Sequence, residues 1–89
     1  MSGFAAGSSL THASAKAALA TGLAQIGAGA TAVDCAGLAQ FDSSALAVLL
    51  AWQRAAQARG TPLAFLNLPP KLASLAQAYG VDALINGRH

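Results

Sequence analysis

An 89-residue chain holds one hydrophobic core and no second domain of useful size, so residues 1–89 are expected to fold as a single unit. It is 55% hydrophobic and 9% charged, yet much of the apolar count is alanine, which drives membrane insertion weakly. The net charge of +2 comes from five dispersed bases (Lys16, Arg54, Arg59, Lys71 and Arg88), with no patch or stripe for nucleic acid. The longest uncharged stretch, 17–33, is interrupted by Thr21, Gly22, Gln25, Gly27 and Gly29. The apolar run between Asp42 and Arg54 is shorter than the roughly 20 residues that a span needs. One cysteine, Cys35, cannot form an internal disulfide, and with two histidines it makes no metal-ligand spacing. So few charges leave little solvating surface, which points to an exterior partly covered by a partner, and a second copy of the chain is one candidate.

In chain order, the opening MSGFAAGSSLTH has neither a basic n-region nor a continuous apolar h-region, so no secretory signal is expected and the protein is expected to be cytoplasmic. Its glycines and serines leave room for one short strand ending near Leu10. Thr11 is suited to cap a helix, since its hydroxyl oxygen can accept from a free backbone N–H. Ala15, Leu19, Gly22, Leu23 and Ile26 then recur at helical spacing, and the glycines from Gly27 end that helix. "TAVDCAGL" is expected to be a short buried strand, with the Asp34 carboxylate at its end bonding nearby backbone N–H groups.

"FDSSALAVLLAW" opens a second helix, with Asp42, Ser43 and Ser44 at its start. At about 100° per residue, Ala45, Val48, Leu49, Trp52 and Ala56 form one stripe, and Gln53, Arg54 and Gln57 lie away from it. Leu46 and Leu50 fall on the flank, giving this helix more apolar surface than one core face requires. Gly60 stops it. "TPLAFLNL" is a strand apolar on both faces, and Pro70 suits the first turn of a third helix that carries Leu72, Leu75, Ala76 and Tyr79 on one face. Gly80 ends it, and "VDALI" is expected to be a last short strand or a docking tail. Trp52 and Tyr79 are expected to anchor the core with their polar edges outward, and Cys35 to be a small buried apolar residue. Strands alternating with helices in so short a chain predict an α/β fold with a small mixed sheet of about four strands and helices mainly on one face.

The order of "TAVDCAGLAQFDSSALAVLLAW", a helix ending "ARG" and then "LAFLNLPPKLASLAQAYGVDALI" resembles the STAS domain, the domain shared by sulfate transporters and anti-sigma-factor antagonists. The resemblance is strongest over residues 30–85, and within the family it is closest to the small cytoplasmic STAS subunits of Mla-type phospholipid-transport ABC systems. What it implies is a non-catalytic subunit that binds the transporter's ATPase, held at the inner face of the inner membrane by that partner and needing no cofactor. The other branch implies an antagonist switched when a kinase-like anti-sigma factor phosphorylates a serine of the D-S-S turn. That phosphoacceptor falls on Ser44 here, while the Mla-type subunits carry their hydroxyl at the position of Ser43. Where the family has glycine after the serines, this chain has Ala45.

Weighed by chemistry, the D-S-S turn is first of all a helix cap. A nucleophilic serine needs a base in reach, and the internal His12 opens a different helix, which argues against an enzyme. A phosphate on Ser44 or Ser43 would add about −1.5 to −2 charges, favoured by the helix N-terminus and repelled by Asp42. The expected partner-binding residues are Asp42, Ser43, Ser44, Leu46 and Leu50. A third reading, a small nucleotide-binding protein, has no motif behind it, because the glycines at Gly27 lack the Lys and Ser/Thr of a phosphate loop and end a helix rather than begin one.

Overall fold

The structure, a computed structural model, describes residues 3–86, so Arg88 among the five bases lies outside the described residues. The elements are β1 (Gly3–Ala5), β2 (Ser9–Leu10), α1 (Ala15–Gly27), β3 (Ala32–Asp34), β4 (Gln40–Phe41), α2 (Ser43–Ala58), β5 (Ala64–Leu66), α3 (Pro70–Ala78) and α4 (Asp82–Asn86). The α/β class expected from the sequence is what the chain adopts. Its described ladders form two small sheets, a three-stranded one ordered β1-β3-β5 and a two-stranded one of β2 and β4, and every pairing is parallel. Parallel strands need long crossovers, and α1 and α2 supply them. The single opening strand is resolved into two, β1 and β2, separated by Gly7 at φ 92°, a left-handed conformation that glycine adopts without strain.

One face of the larger sheet is closed and the other is open. In register across it, Phe4, Val33 and Phe65 turn toward the helices, and Phe4 meets Trp52 edge-on with ring centroids 5.2 Å apart. Of the side chains of the opposite parity, Ala5, Asp34, Ala64 and Leu66 are exposed, and Ala32 on the central strand is buried. β5 is thus apolar on both faces as expected, but only one of them is covered. The core gathers Leu10, Ile26, Val33, Leu49, Trp52, Leu63, Leu72 and Ile85, all almost completely buried.

The helix stripes explain this packing. All five residues of the α2 stripe, Ala45, Val48, Leu49, Trp52 and Ala56, are buried, as the periodicity requires. Three departures come from neighbours that the sequence did not reveal. Residues 82–86 form a helix, α4, rather than a strand or tail, and α4 packs against α2 and β5. Leu46 consequently sits in the core cluster that includes Ile85, 4% exposed, and Leu50 is half-buried against it. Gln53 is buried as well. Its Nε2 donates to the Leu63 carbonyl at 2.8 Å and its Oε1 accepts from the Leu63 N–H at 2.7 Å, so a side-chain amide stands where a neighbouring strand would otherwise satisfy both groups.

Other expectations shift by a turn. α1 starts at Ala15, not after Thr11. The Thr11 carbonyl accepts from Ser14 and Ala15 in a preceding turn, and the Ser14 hydroxyl oxygen accepts from the Thr11 N–H at 3.0 Å. Leu23, placed on the inner face by spacing, is 39% exposed because it lies at the edge of that stripe, whereas Gly22 and Ile26 are buried. Tyr79 is 61% exposed: α3 ends at Ala78 and Gly80 turns the chain away at φ 73°. Trp52 is buried, with its indole N–H turned inward to the Leu19 carbonyl at 3.3 Å rather than out to solvent.

Candidate functional site

The D-S-S turn sits where the smaller sheet feeds α2. β2 and β4 run parallel in the register Ser9 to Gln40 and Leu10 to Phe41, so both strands deliver the chain to the same end of the sheet. There the Asp42 N–H donates to the Leu10 carbonyl at 3.3 Å. Asp42 is the N-cap of α2, in extended conformation (φ −136°, ψ −166°). Its Oδ1 accepts from the Ser44 N–H at 2.8 Å and its Oδ2 from the His12 N–H at 3.0 Å. One carboxylate therefore closes the start of α2 and pins the loop leading into α1. These two N–H donors, His12 first and Ser44 second, hold the Asp42 carboxyl below the ordinary carboxylate range.

The cap is thus Asp42, and the serines are the first two helical residues. Ser43 is exposed and Ser44 is half-buried. Ser44 lines a recess of about 310 Å³ between the N-terminal halves of α1 and α2, with Ala15, Leu19, Ala47 and Val48 as its apolar wall and Lys16 beside it. Lys16 was not among the residues singled out from the sequence, since its place in the same recess as Ser44 depends on how α1 packs on α2. Of the expected partner-binding set, Asp42, Ser43 and Ser44 share the turn, and Leu50 lies two helical turns on, half-buried. Leu46 belongs to the core and not to this surface.

Catalysis by the serines finds no support in this arrangement. Both Asp42 oxygens are engaged by backbone N–H groups, and the hydrogen bond that His12 makes here is through its backbone N–H, with none between its ring and either serine hydroxyl among the described residues. Among the described residues, no group of three or more His, Cys, Asp and Glu could hold a metal ion, and no helix is long and apolar enough to cross a membrane. The glycines at Gly27–Gly29 end α1, with Gly29 at φ 105°, so they do not form a phosphate loop opening a helix.

A second carboxylate is organised in a similar way. Asp34, at the end of β3, accepts on Oδ1 from the Ala36 N–H at 2.9 Å and from the Asn67 side-chain amide at 3.2 Å. The Ala36 contact leads and the Asn67 contact follows in lowering its pKa. This is the strand-end role expected for it, and Asn67 itself sits at φ 56°. Beside it Cys35 is buried, and burial, with the Asp34 charge adding to it, pushes the thiol up to about 11.

No curated protein matches the chain. The family model described as "Mlab, STAS domain" matches residues 4–86, nearly all that the structure describes and more than the 30–85 segment that carries the resemblance in sequence. Parallel strands, a D-S-S turn capping the second helix and the family match agree, and the chain belongs to the STAS domains of the MlaB type.

Proposed function

We propose that this domain is a non-catalytic interaction subunit that docks on the ATPase of an ABC-type phospholipid-transport system and supports its active assembly. STAS domains act by protein–protein contact. The observation that carries the proposal is the Asp42 clamp, which joins the start of α2 to the loop before α1 and leaves Ser43 exposed and Ser44 in the wall of the recess that Lys16 also lines. The docking surface is Asp42, Ser43, Ser44 and the exposed edge of Leu50. The partner would hold the domain in the cytoplasm at the inner face of the inner membrane.

An affinity capture from the native host tests this, comparing wild type with the double substitution Ser43→Asp/Ser44→Asp. The expected result is an ABC ATPase retained by wild type and lost with the variant. Retention of the ATPase by both would reduce the serines to the first turn of a helix and overturn the docking role.

One observation favours a second reading. Lys16 lines the same recess as Ser44, so a phosphate on Ser44 would have a cation in the same recess, which fits an anti-sigma-factor antagonist switched by a kinase. Capture of a kinase-like regulator in place of the ATPase, with phosphate found on Ser44, would select that reading.

A further inference from the structure

The free edge of β1 carries a second binding surface, independent of the D-S-S turn. The Ala6 N–H donates to the Asp34 carbonyl at 2.9 Å, and the alternation of a parallel ladder then turns the backbone groups of Phe4 and Ala6 toward β3. The N–H and C=O groups of Gly3 and Ala5 face the other way, where no described strand lies. At the opposite margin of the sheet, α4 packs beside β5, so the two edges are not equivalent. Immediately inside the β1 edge is an apolar recess of about 210 Å³, walled by Phe4, Ala18, Thr21, Gly22 and Trp52. A cavity of roughly 150 Å³ takes a benzene-sized guest, so this one is wide enough for an aromatic ring.

We infer that β1 pairs antiparallel with β1 of a second copy of the chain, each Phe4 ring covering its partner's recess. A two-fold axis through the middle of the strand sets Gly3 opposite the partner's Ala5 and Ala5 opposite the partner's Gly3. Each of these pairs exchanges both N–H···O bonds. Phe4 then faces its own copy across the axis, on the helix side of the joined sheet, where directly opposed side chains are closest. The match is isologous, so one strand supplies both halves of the interface. Nothing along it repels. No charged residue occurs between Gly3 and Leu10, and edge strands that avoid pairing usually carry such charges. On α1 beside the recess the exposed residues Ala17, Thr21 and Ala24 are small and uncharged, which lets the two copies of α1 approach.

The test is sedimentation equilibrium of the full chain together with its Ala5→Pro variant. Ala5 donates no bond within one chain, so proline there leaves the β1–β3 ladder intact while its ring blocks the outer edge. Wild-type mass is expected to rise toward twice that of one chain as concentration approaches roughly millimolar, the regime of a small interface. The variant should stay at the mass of one chain with an unchanged circular-dichroism spectrum. A wild type that keeps the mass of one chain throughout overturns the inference, and so does a variant that pairs as well as wild type. If the variant fails to fold, hydrogen exchange on wild type decides. The Ala5 amide, which lacks an acceptor in one chain, should exchange about tenfold more slowly in concentrated than in dilute protein, and equal rates would refute the pairing.

Discussion

Gly22→Ala is the most demanding test of the packing described for α1 and α2. In the interior of a helix this exchange ordinarily stabilises by about 1 kcal/mol, because glycine forfeits more backbone entropy than alanine. Here a Cβ at residue 22 would stand 2.1 Å from both Cε2 and Nε1 of Trp52. The ring has little freedom to retreat, being fully buried, edge-on to Phe4 at an interplanar angle of 79°, and bonded through its N–H to Leu19. Forcing a methyl into such a contact costs about 1–3 kcal/mol or more, and displacing the ring gives up an aromatic pair worth about 0.5–1.5 kcal/mol. The steric terms exceed the propensity gain, for a net loss of about 2 kcal/mol. In a domain of this size that lowers Tm by about 8–16 °C. Thermal unfolding followed by circular dichroism and by fluorescence of the single tryptophan reads both the loss and the ring's displacement. Gly27→Ala is the control, since a Cβ there meets nothing within 4 Å, and it should be neutral or mildly stabilising. A Gly22→Ala variant as stable as wild type would mean that α1 and Trp52 are not packed as described.

Three further outcomes are expected. Gln53→Leu should lower the urea-unfolding stability by about 2–4 kcal/mol, because it strands the buried N–H and C=O of Leu63 together, and a change below about 0.5 kcal/mol would show that water replaces the amide. Asp42→Ala should destabilise the protein near neutral pH, but not in acid. The folded-state pKa of Asp42 lies below its unfolded value, so its contribution is complete above the ordinary carboxylate range and disappears as pH falls through the lower folded value. Equal urea midpoints for wild type and variant at pH 7 would contradict the clamp. Cys35, with its thiol raised to about 11 by burial, should be alkylated by iodoacetamide at pH 8 only as urea unfolds the chain, and labelling in native buffer at the rate of a free thiol would contradict its burial.

Much of this architecture could be read in the sequence, and what could not shares one physical cause. The α2 stripe from Ala45 to Ala56 was legible because helical periodicity is a local property. So were the stop at Gly60 and the start at Pro70, whose backbone preferences do not depend on distant neighbours. Gln53 was misplaced because its polarity is satisfied by the backbone of Leu63, a contact made only after β5 folds back. Leu46 looked like surplus surface because a five-residue helix, α4, is too short for its periodicity to stand out. The site divides in the same way. An acid before two serines and an apolar run signals a cap locally, whereas the bond from His12 to Asp42 spans 30 residues and the approach of Lys16 to Ser44 depends on how two helices pack.

That long-range bond constrains how the site could transmit a change. A helix N-terminus normally leaves several N–H groups free to receive an anion. In α2 the Ser44 N–H is already taken by Asp42, whose other oxygen holds His12. A negative group arriving at Ser43 or Ser44 would therefore stand close to the Asp42 carboxylate, and the repulsion would fall on the residue that joins the two helix starts. Ser43 is exposed, so its substituent could turn into solvent and leave the clamp in place. Ser44 is half-buried at the recess, where a substituent must share space with Lys16 and the apolar wall formed by α1. The two adjacent hydroxyls are thus physically unequal. Ser43 can change without consequence for the fold, while any change to Ser44 also acts on the seam between α1 and α2.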